Sequence, residues 1–249
     1  MKEQIHTSPV AEAFLSQDEC PFCRLEREAE QRAIRFFAGP GASYMEPTIR
    51  GITNRAGFCS GHTKKLYDYG NALGNALMLQ THMEAILLEL RTMAENQTVP
   101  EKKGLFRKKG QEEHSQWQHL QQRVNSCAIC DQVADSMQRN FRVFFSLLQD
   151  TEFRGYVEQS KGFCLPHFAR LLQEAENNLP QKYAAWFYPT AYRVMEENLL
   201  RVKEDLDLLI SKFDYRNADL PWGNAQDSLQ RSMQKMAGIY PADPPYRKD

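Results

Sequence analysis

The chain has 249 residues, with 31 lysines and arginines against 32 aspartates and glutamates. The formal charge of −1 argues against bulk electrostatic attraction to nucleic acid or an anionic membrane. A hydrophobic content of 42% with 25% charged residues excludes a disordered chain, and no run of 18 apolar residues predicts a membrane span.

Residues 1–13 contain no signal-peptide run, so a cytoplasmic protein is expected. In a reducing compartment, paired cysteines bind metal or do redox work more often than they staple a fold. Apolar residues then recur in steps of three and four. Phe22, Leu25, Ala29, Ala33, Phe36 and Phe37 form a first stripe, which Gly39-Pro40-Gly41 ends. Pro47 suits the first turn of a short helix. Gly70-Asn71-Ala72-Leu73-Gly74 reads as a helix start rather than a phosphate loop. It has no preceding strand and no lysine. A second stripe follows at Leu73, Leu77, Met83, Ile86, Leu87 and Leu90.

Residues 96–113 read as a polar linker with five basic residues between Lys102 and Lys109. A solvated linker is the simpler reading, and a nucleic-acid contact the alternative. Beyond it, Ile129, Val133, Met137, Phe141, Phe144, Phe145 and Leu148 make a third stripe. Leu199, Val202, Leu206, Leu209 and Phe213 make a fourth. All four stripes are expected in the core, as are most of Tyr183, Trp186, Phe187, Tyr188 and Tyr192. The acidic run Glu204-Asp205-Asp207 reads as a solvated face beside Arg201 and Lys203. A last helix is expected near residues 224–237. No segment alternates with period two, so the fold is predicted to be all-α.

One pattern occurs twice. Cys20-Pro21-Phe22-Cys23 returns as Cys127-Ala128-Ile129-Cys130. Gly57-Phe58-Cys59-Ser60-Gly61-His62 returns as Gly162-Phe163-Cys164-Leu165-Pro166-His167. Arg50-Gly51 and Arg154-Gly155 match as well. The offset divides the chain into a helical repeat at 8–95, the linker at 96–113, a second repeat at 114–215 and an extension at 216–249.

All six cysteines fall in these motifs. Each copy holds three Cys and one His, the ligand set of a closed structural zinc site. Two thiolates three residues apart reach one ion from a first helical turn, and C-x2-H does the same with sulfur and nitrogen. Pro21 and Pro166 place Cys20 and Cys164 at helix entrances, where the dipole favours thiolate. The metal ligands are therefore predicted as Cys20, Cys23, Cys59 and His62, and Cys127, Cys130, Cys164 and His167. Two zinc ions per chain are expected, with an iron–sulfur cluster as the less favoured cofactor. Each half holds a full set and is expected to close its own site. Ligands contributed across the halves are the second arrangement. Separately buried cysteines, or disulfides that leave two thiols over, are the alternatives to metal. Phe58 and Phe163 are expected to shield the sites, and each ligating imidazole needs a partner for its other nitrogen.

No catalytic residues are assigned. The reading is a metal-bound scaffold or regulatory protein with a protein partner, no membrane partner and an unassigned oligomeric state. A thiol-based redox sensor or enzyme is the first alternative, and nucleic-acid binding through the linker the second. The doubled motifs, with Phe213-Asp214-Tyr215-Arg216 and Pro221-Trp222-Gly223, resemble an uncharacterised bacterial family, a domain of unknown function. That resemblance spans about residues 8–238 and implies a bacterial cytosolic protein without an assigned activity.

Overall fold

The computed structural model describes residues 8–41, 43–96, 116–217 and 219–238. The basic run, His6 and His114 lie outside the described residues. Among the described residues the fold is all-α, with no strand. The helices are α1 (Pro9–Leu15), α2 (Pro21–Ala38), α3 (Pro47–Ala56), α4 (Ser60–Tyr69) and α5 (Ala72–Glu95). They continue as α6 (Gln116–Asn125), α7 (Ala128–Leu147), α8 (Thr151–Gln159), α9 (Leu165–Asn178), α10 (Gln181–Ser211) and α11 (Ser228–Ala237). The repeat is visible in this order. A lead-in helix, a long helix, a short one, one opened by G-F-C and another long one occur twice. Among the described helices only α11 has no counterpart.

Local chemistry sets the boundaries. Pro21 and Pro47 open α2 and α3 as first-turn prolines. Asn71 caps α5 by accepting the Gly74 N–H at 2.9 Å, after Gly70 closes α4 in the left-handed region. The paired arginines repeat a local bond. Arg50 donates to the Tyr44 carbonyl at 2.9 Å, and Arg154 to the Leu148 carbonyl at 2.6 Å. Each pins the start of its short helix.

The described residues form two compact units that cut across the sequence repeats. One contains residues 8–29 and 134–238, the other those of 30–133. The divisions fall inside α2 and α7. Each unit thus combines the lead-in helix and C-x2-C of one repeat with the remainder of the other.

The first unit has a phenylalanine core. Phe22 lies 4.4 Å from Phe141 and 6.0 Å from Phe163 between ring centroids, and Phe14 lies 5.5 Å from Phe144. Phe187 joins through Phe145. Glu19, buried at 6% exposure, accepts from Arg201 at 2.6 Å and lies 3.3 Å from the buried Lys235 ammonium. Asp205 pairs with Arg231 of α11, so the acidic face of α10 is only partly solvated. The second unit has a thinner core of Ala33, Ile34, Phe37, Leu66, Met78 and Ile129, where Phe37 meets Phe58 at 5.7 Å.

The α7 stripe is buried throughout, as expected. The α5 stripe is not. Leu73 is 66% exposed, Met83 60%, Leu87 49% and Leu90 42%. In α5 only Gly74 and Met78 are fully buried, because the helix packs through its opposite face on α3. Phe36 and Phe213 are likewise exposed, and of the five aromatics on α10 only Phe187 is fully buried. Period identifies a helix and its apolar face, not whether another element covers that face.

Candidate metal centres

The four ligand-bearing motifs share one local geometry. Cys59 and Cys164 are the N-cap residues of α4 and α9, with His62 and His167 three residues on. Cys20 and Cys127 stand just ahead of α2 and α7, with Cys23 and Cys130 three residues on. Residues three apart in the first turn lie on the same helix face, so both can reach one point. Gly57 and Gly162 turn the chain into α4 and α9 with φ of 56° and 76°. At each, an added Cβ would press on a neighbour. The contact is 2.7 Å from His82 for Gly57 and 3.1 Å from the Val194 carbonyl for Gly162. Ala128 N–H donates to the Gly57 carbonyl at 3.0 Å, joining the α7 and α4 entrances.

The ligand atoms gather into two groups, each with all donors within 4.8 Å of one another. The first is Cys20, Cys23, Cys164 and His167, the second Cys59, His62, Cys127 and Cys130. All eight expected ligands are therefore brought together, but their pairing corrects the expectation that each half closes its own site. Every cluster takes C-x2-C from one repeat and C-x2-H from the other. Helix length supplies the reason. From Cys23 the rest of α2 carries the chain about 22 Å away, and the ten residues of α3 span only about 15 Å of the return. Similarly, α7 covers about 30 Å and α8 about 14 Å. A complete ligand set in each half does not bring its members together when a rigid rod separates them.

In the first cluster His167 Nδ1 lies 3.1 Å from Cys164 Sγ, 3.4 Å from Cys23 Sγ and 3.7 Å from Cys20 Sγ. The Cys23 and Cys164 sulfurs are 3.5 Å apart. In the second, His62 Nδ1 lies 3.2 Å from Cys59 and Cys127 and 3.3 Å from Cys130, with 3.9 Å between the Cys59 and Cys130 sulfurs. A tetrahedral ion with sulfur and nitrogen ligands needs donor separations of about 3.5–3.8 Å, so the donor sets fit one. All six cysteines are free thiols. Convergence also excludes separate apolar pockets for the sulfurs.

Both imidazoles present Nδ1 inward and Nε2 outward to a carboxylate. His62 Nε2 meets Glu30 at 2.8 Å, and His167 Nε2 lies 3.6 Å from Glu26. This arrangement fixes the tautomer and raises the basicity of a metal-bound histidine. Sequence reasoning called for such partners but did not name them. The only signal is their placement three and seven residues after Cys23 on α2.

Charge within the clusters follows from proximity. Burial opposes thiolate at Cys20, yet contacts with Cys164, Cys23 and His167 hold its pKa well below the ordinary thiol value. Contacts with Cys164 and Cys20, with burial, raise Cys23. At the second site burial opposes, but His62 holds Cys127 down at about 6, while burial and Cys127 push Cys130 up to about 12. Despite burial, both histidines are raised to about 10, first by their thiol contacts with Cys127 and Cys164. A bound dication would displace these protons, leaving the imidazoles neutral and the cysteines as thiolates.

The surroundings differ. Cys20, Cys23, Cys164 and His167 are all buried, and Phe163 and Phe22 shield them. Gly238, the left-handed cap of α11, comes so close that an added Cβ would sit 3.5 Å from Cys164 Sγ. At the second site Cys59 is half-buried and Cys130 exposed. Phe58 is only half-buried. Of the other histidines, His82 holds the Asn54 carbonyl at 2.9 Å, and His119 meets Glu89 at 3.2 Å. Among the described residues no helix is long and apolar enough to cross a membrane.

Comparison with curated proteins and with solved structures finds no match. A family model does match, over residues 1–243, and with it nearly the whole chain. The chain belongs to the family of unknown function DUF6062.

Proposed function

We propose that both clusters hold zinc, two ions per chain, as closed structural sites in a cytoplasmic binding protein. The reciprocal sharing of ligands carries this reading. Each ion would clip the C-x2-C of one repeat to the C-x2-H of the other, joining segments at least 65 residues apart in sequence. Four protein donors leave no open position for substrate, which favours a structural over a catalytic role. Zinc accepts mixed thiolate and imidazole ligands, and the carboxylate behind each imidazole suits such a site. The cellular role we infer is that of a scaffold or regulatory partner for another protein. Elemental analysis of protein purified without added metal tests the first step. Two zinc ions per chain are expected. Iron with visible absorbance would replace zinc, and folded protein with no metal would remove the reading. Capture of partners from the native host tests the second step.

The exposure of Cys130 favours one further reading, that the second cluster senses oxidants. Peroxide would take two electrons from the Cys59 and Cys130 thiolates, forming their disulfide and two hydroxides and releasing the metal. Thiol titration and zinc release at stoichiometric peroxide test it.

A further inference from the structure

The outward face of α5 carries a regular seam. Leu73, Ala76, Gln80, Met83, Leu87, Leu90 and Ala94 follow one another in alternating steps of three and four, the a/d spacing of a coiled coil. All seven are exposed. The seam is separate from the buried face through Gly74 and Met78 that packs on α3. Helix α6 is held next to α5 by the Arg123–Glu89 ion pair at 2.7 Å.

The second repeat carries an equivalent face, which borders α11. His82 bonds the Asn54 carbonyl and sits against Gly57. Asn198 likewise bonds the Ser160 carbonyl at 3.3 Å and sits against Gly162. Aligning His82 with Asn198 places Ala76, Gln80, Met83, Leu87 and Leu90 on Tyr192, Glu196, Leu199, Lys203 and Leu206. Those five line the apolar groove that α10 forms with Ser232 and Met236 of α11. In the second repeat α11 flanks this face and leaves Tyr192, Glu196 and Lys203 exposed, whereas in the first no helix among the described residues flanks it.

We propose that a second copy of this chain covers it, α5 against α5 in an antiparallel pair. Charge selects this partner and its register. With Leu87 of one copy against Leu90 of the other, Met83 faces Ala94 and the polar Gln80 falls outside the paired stretch. On one flank Glu84 then stands opposite Arg91, twice by symmetry. On the other, Ile86 stands opposite Met93. A shift by one heptad would oppose Glu84 to its own copy. A parallel pair would leave both charges facing apolar residues. The pair would remove on the order of 1,000 Å² from water at most, the lower edge of specific interfaces. A reversible dimer is therefore expected.

Sedimentation velocity of the full metal-loaded chain over a concentration series tests this. The expected result is reversible association from 28.9 kDa to twice that mass. Leu87→Asp should give monomer with helicity and metal content unchanged. Should that variant fail to fold, the solvent-facing pair decides. Glu84→Arg should weaken the dimer about tenfold or more, and Glu84→Arg with Arg91→Glu should restore it. A chain that stays monomeric up to about 100 μM, well above a micromolar Kd, overturns the proposal, as does a dimer indifferent to the charge reversals. Monomer that instead co-sediments with phosphatidylglycerol vesicles would overturn it in favour of a lipid surface.

Discussion

The two clusters have the same ligands in the same helix positions, and one is sealed while the other is open. The sealed cluster lies in the unit with the phenylalanine core and with α11, whose terminal Gly238 closes on Cys164. The open cluster lies in the unit where no counterpart of α11 occurs among the described residues, and there Cys130 reaches solvent. Duplication repeated the ligands, their glycine turns and the helix starts. Among the described residues it did not repeat the lid. The difference separates the donors that could hold a metal from the shell that would retain it.

The largest expected consequence concerns metal removal. Structural zinc contributes about 10–16 kcal/mol in small domains whose folding it drives. The unit formed by 30–133 has a thin core and an accessible cluster, so a chelator should strip it first. Hydrogen exchange should then accelerate across α3, α4 and α5 while α8, α9 and α10 stay protected. Simultaneous loss of protection in both units would show that the lid does not govern retention.

Next in size is the residue enclosed by C-x2-C. Phe22 is fully buried against Phe141 and Phe163, while its repeat counterpart is the smaller, equally buried Ile129. Phe22→Ala should cost about 3–5 kcal/mol and Ile129→Ala about 2–5, the difference following from the volume removed. Denaturant unfolding with both metals bound checks the order. A larger loss at Ile129 would place the stability of the chain in the thinner core.

Much of this was legible from residue types alone. The helices, the doubled motif, the eight residues that gather into clusters and the turn at Gly39-Pro40-Gly41 follow from period, spacing and breakers. The pairing of the ligands did not, because spacing specifies which residues can share an ion but not where long helices carry them. Nor did Glu30 as the partner of His62, 32 residues away. The α5 stripe was legible as a helix face and not as an exposed one, since Leu87 reads the same whether the chain or a neighbour covers it.

A smaller contrast appears in acid. Glu19, next to Cys20, is buried, which raises its pKa, but the Arg201 hydrogen bond and the Lys235 charge outweigh this and hold it below its ordinary value of 4.5. A carboxyl depressed in the folded state contributes stability above its unfolded pKa and loses it as pH falls through the folded one. Stability of the first unit should therefore fall from about pH 4.5 downward. Glu19→Gln should cost about 2–3 kcal/mol at neutral pH and flatten that acid limb. Comparing wild type and variant at each pH cancels the protonation of metal ligands common to both. Parallel pH curves would assign the acid loss to the clusters alone.

The smallest expected effect separates the two carboxylates behind the histidines. Glu30 meets His62 Nε2 at 2.8 Å, is 15% exposed and also pairs with Lys65, while Glu26 lies 3.6 Å from His167 and is 47% exposed. A carboxylate that orients a ligating imidazole is worth about 10–100-fold in metal affinity. The shorter and drier contact should carry more of it, so Glu30→Gln should approach the upper end for the open cluster. Glu26→Gln should change the sealed cluster by less than about tenfold, because water replaces an exposed partner at little cost. Competition with a chromophoric chelator, on variants that each keep the other site intact, measures both. Equal losses would mean that orientation of the imidazole comes from the helix start itself, and that lid and carboxylate act independently on the same ion.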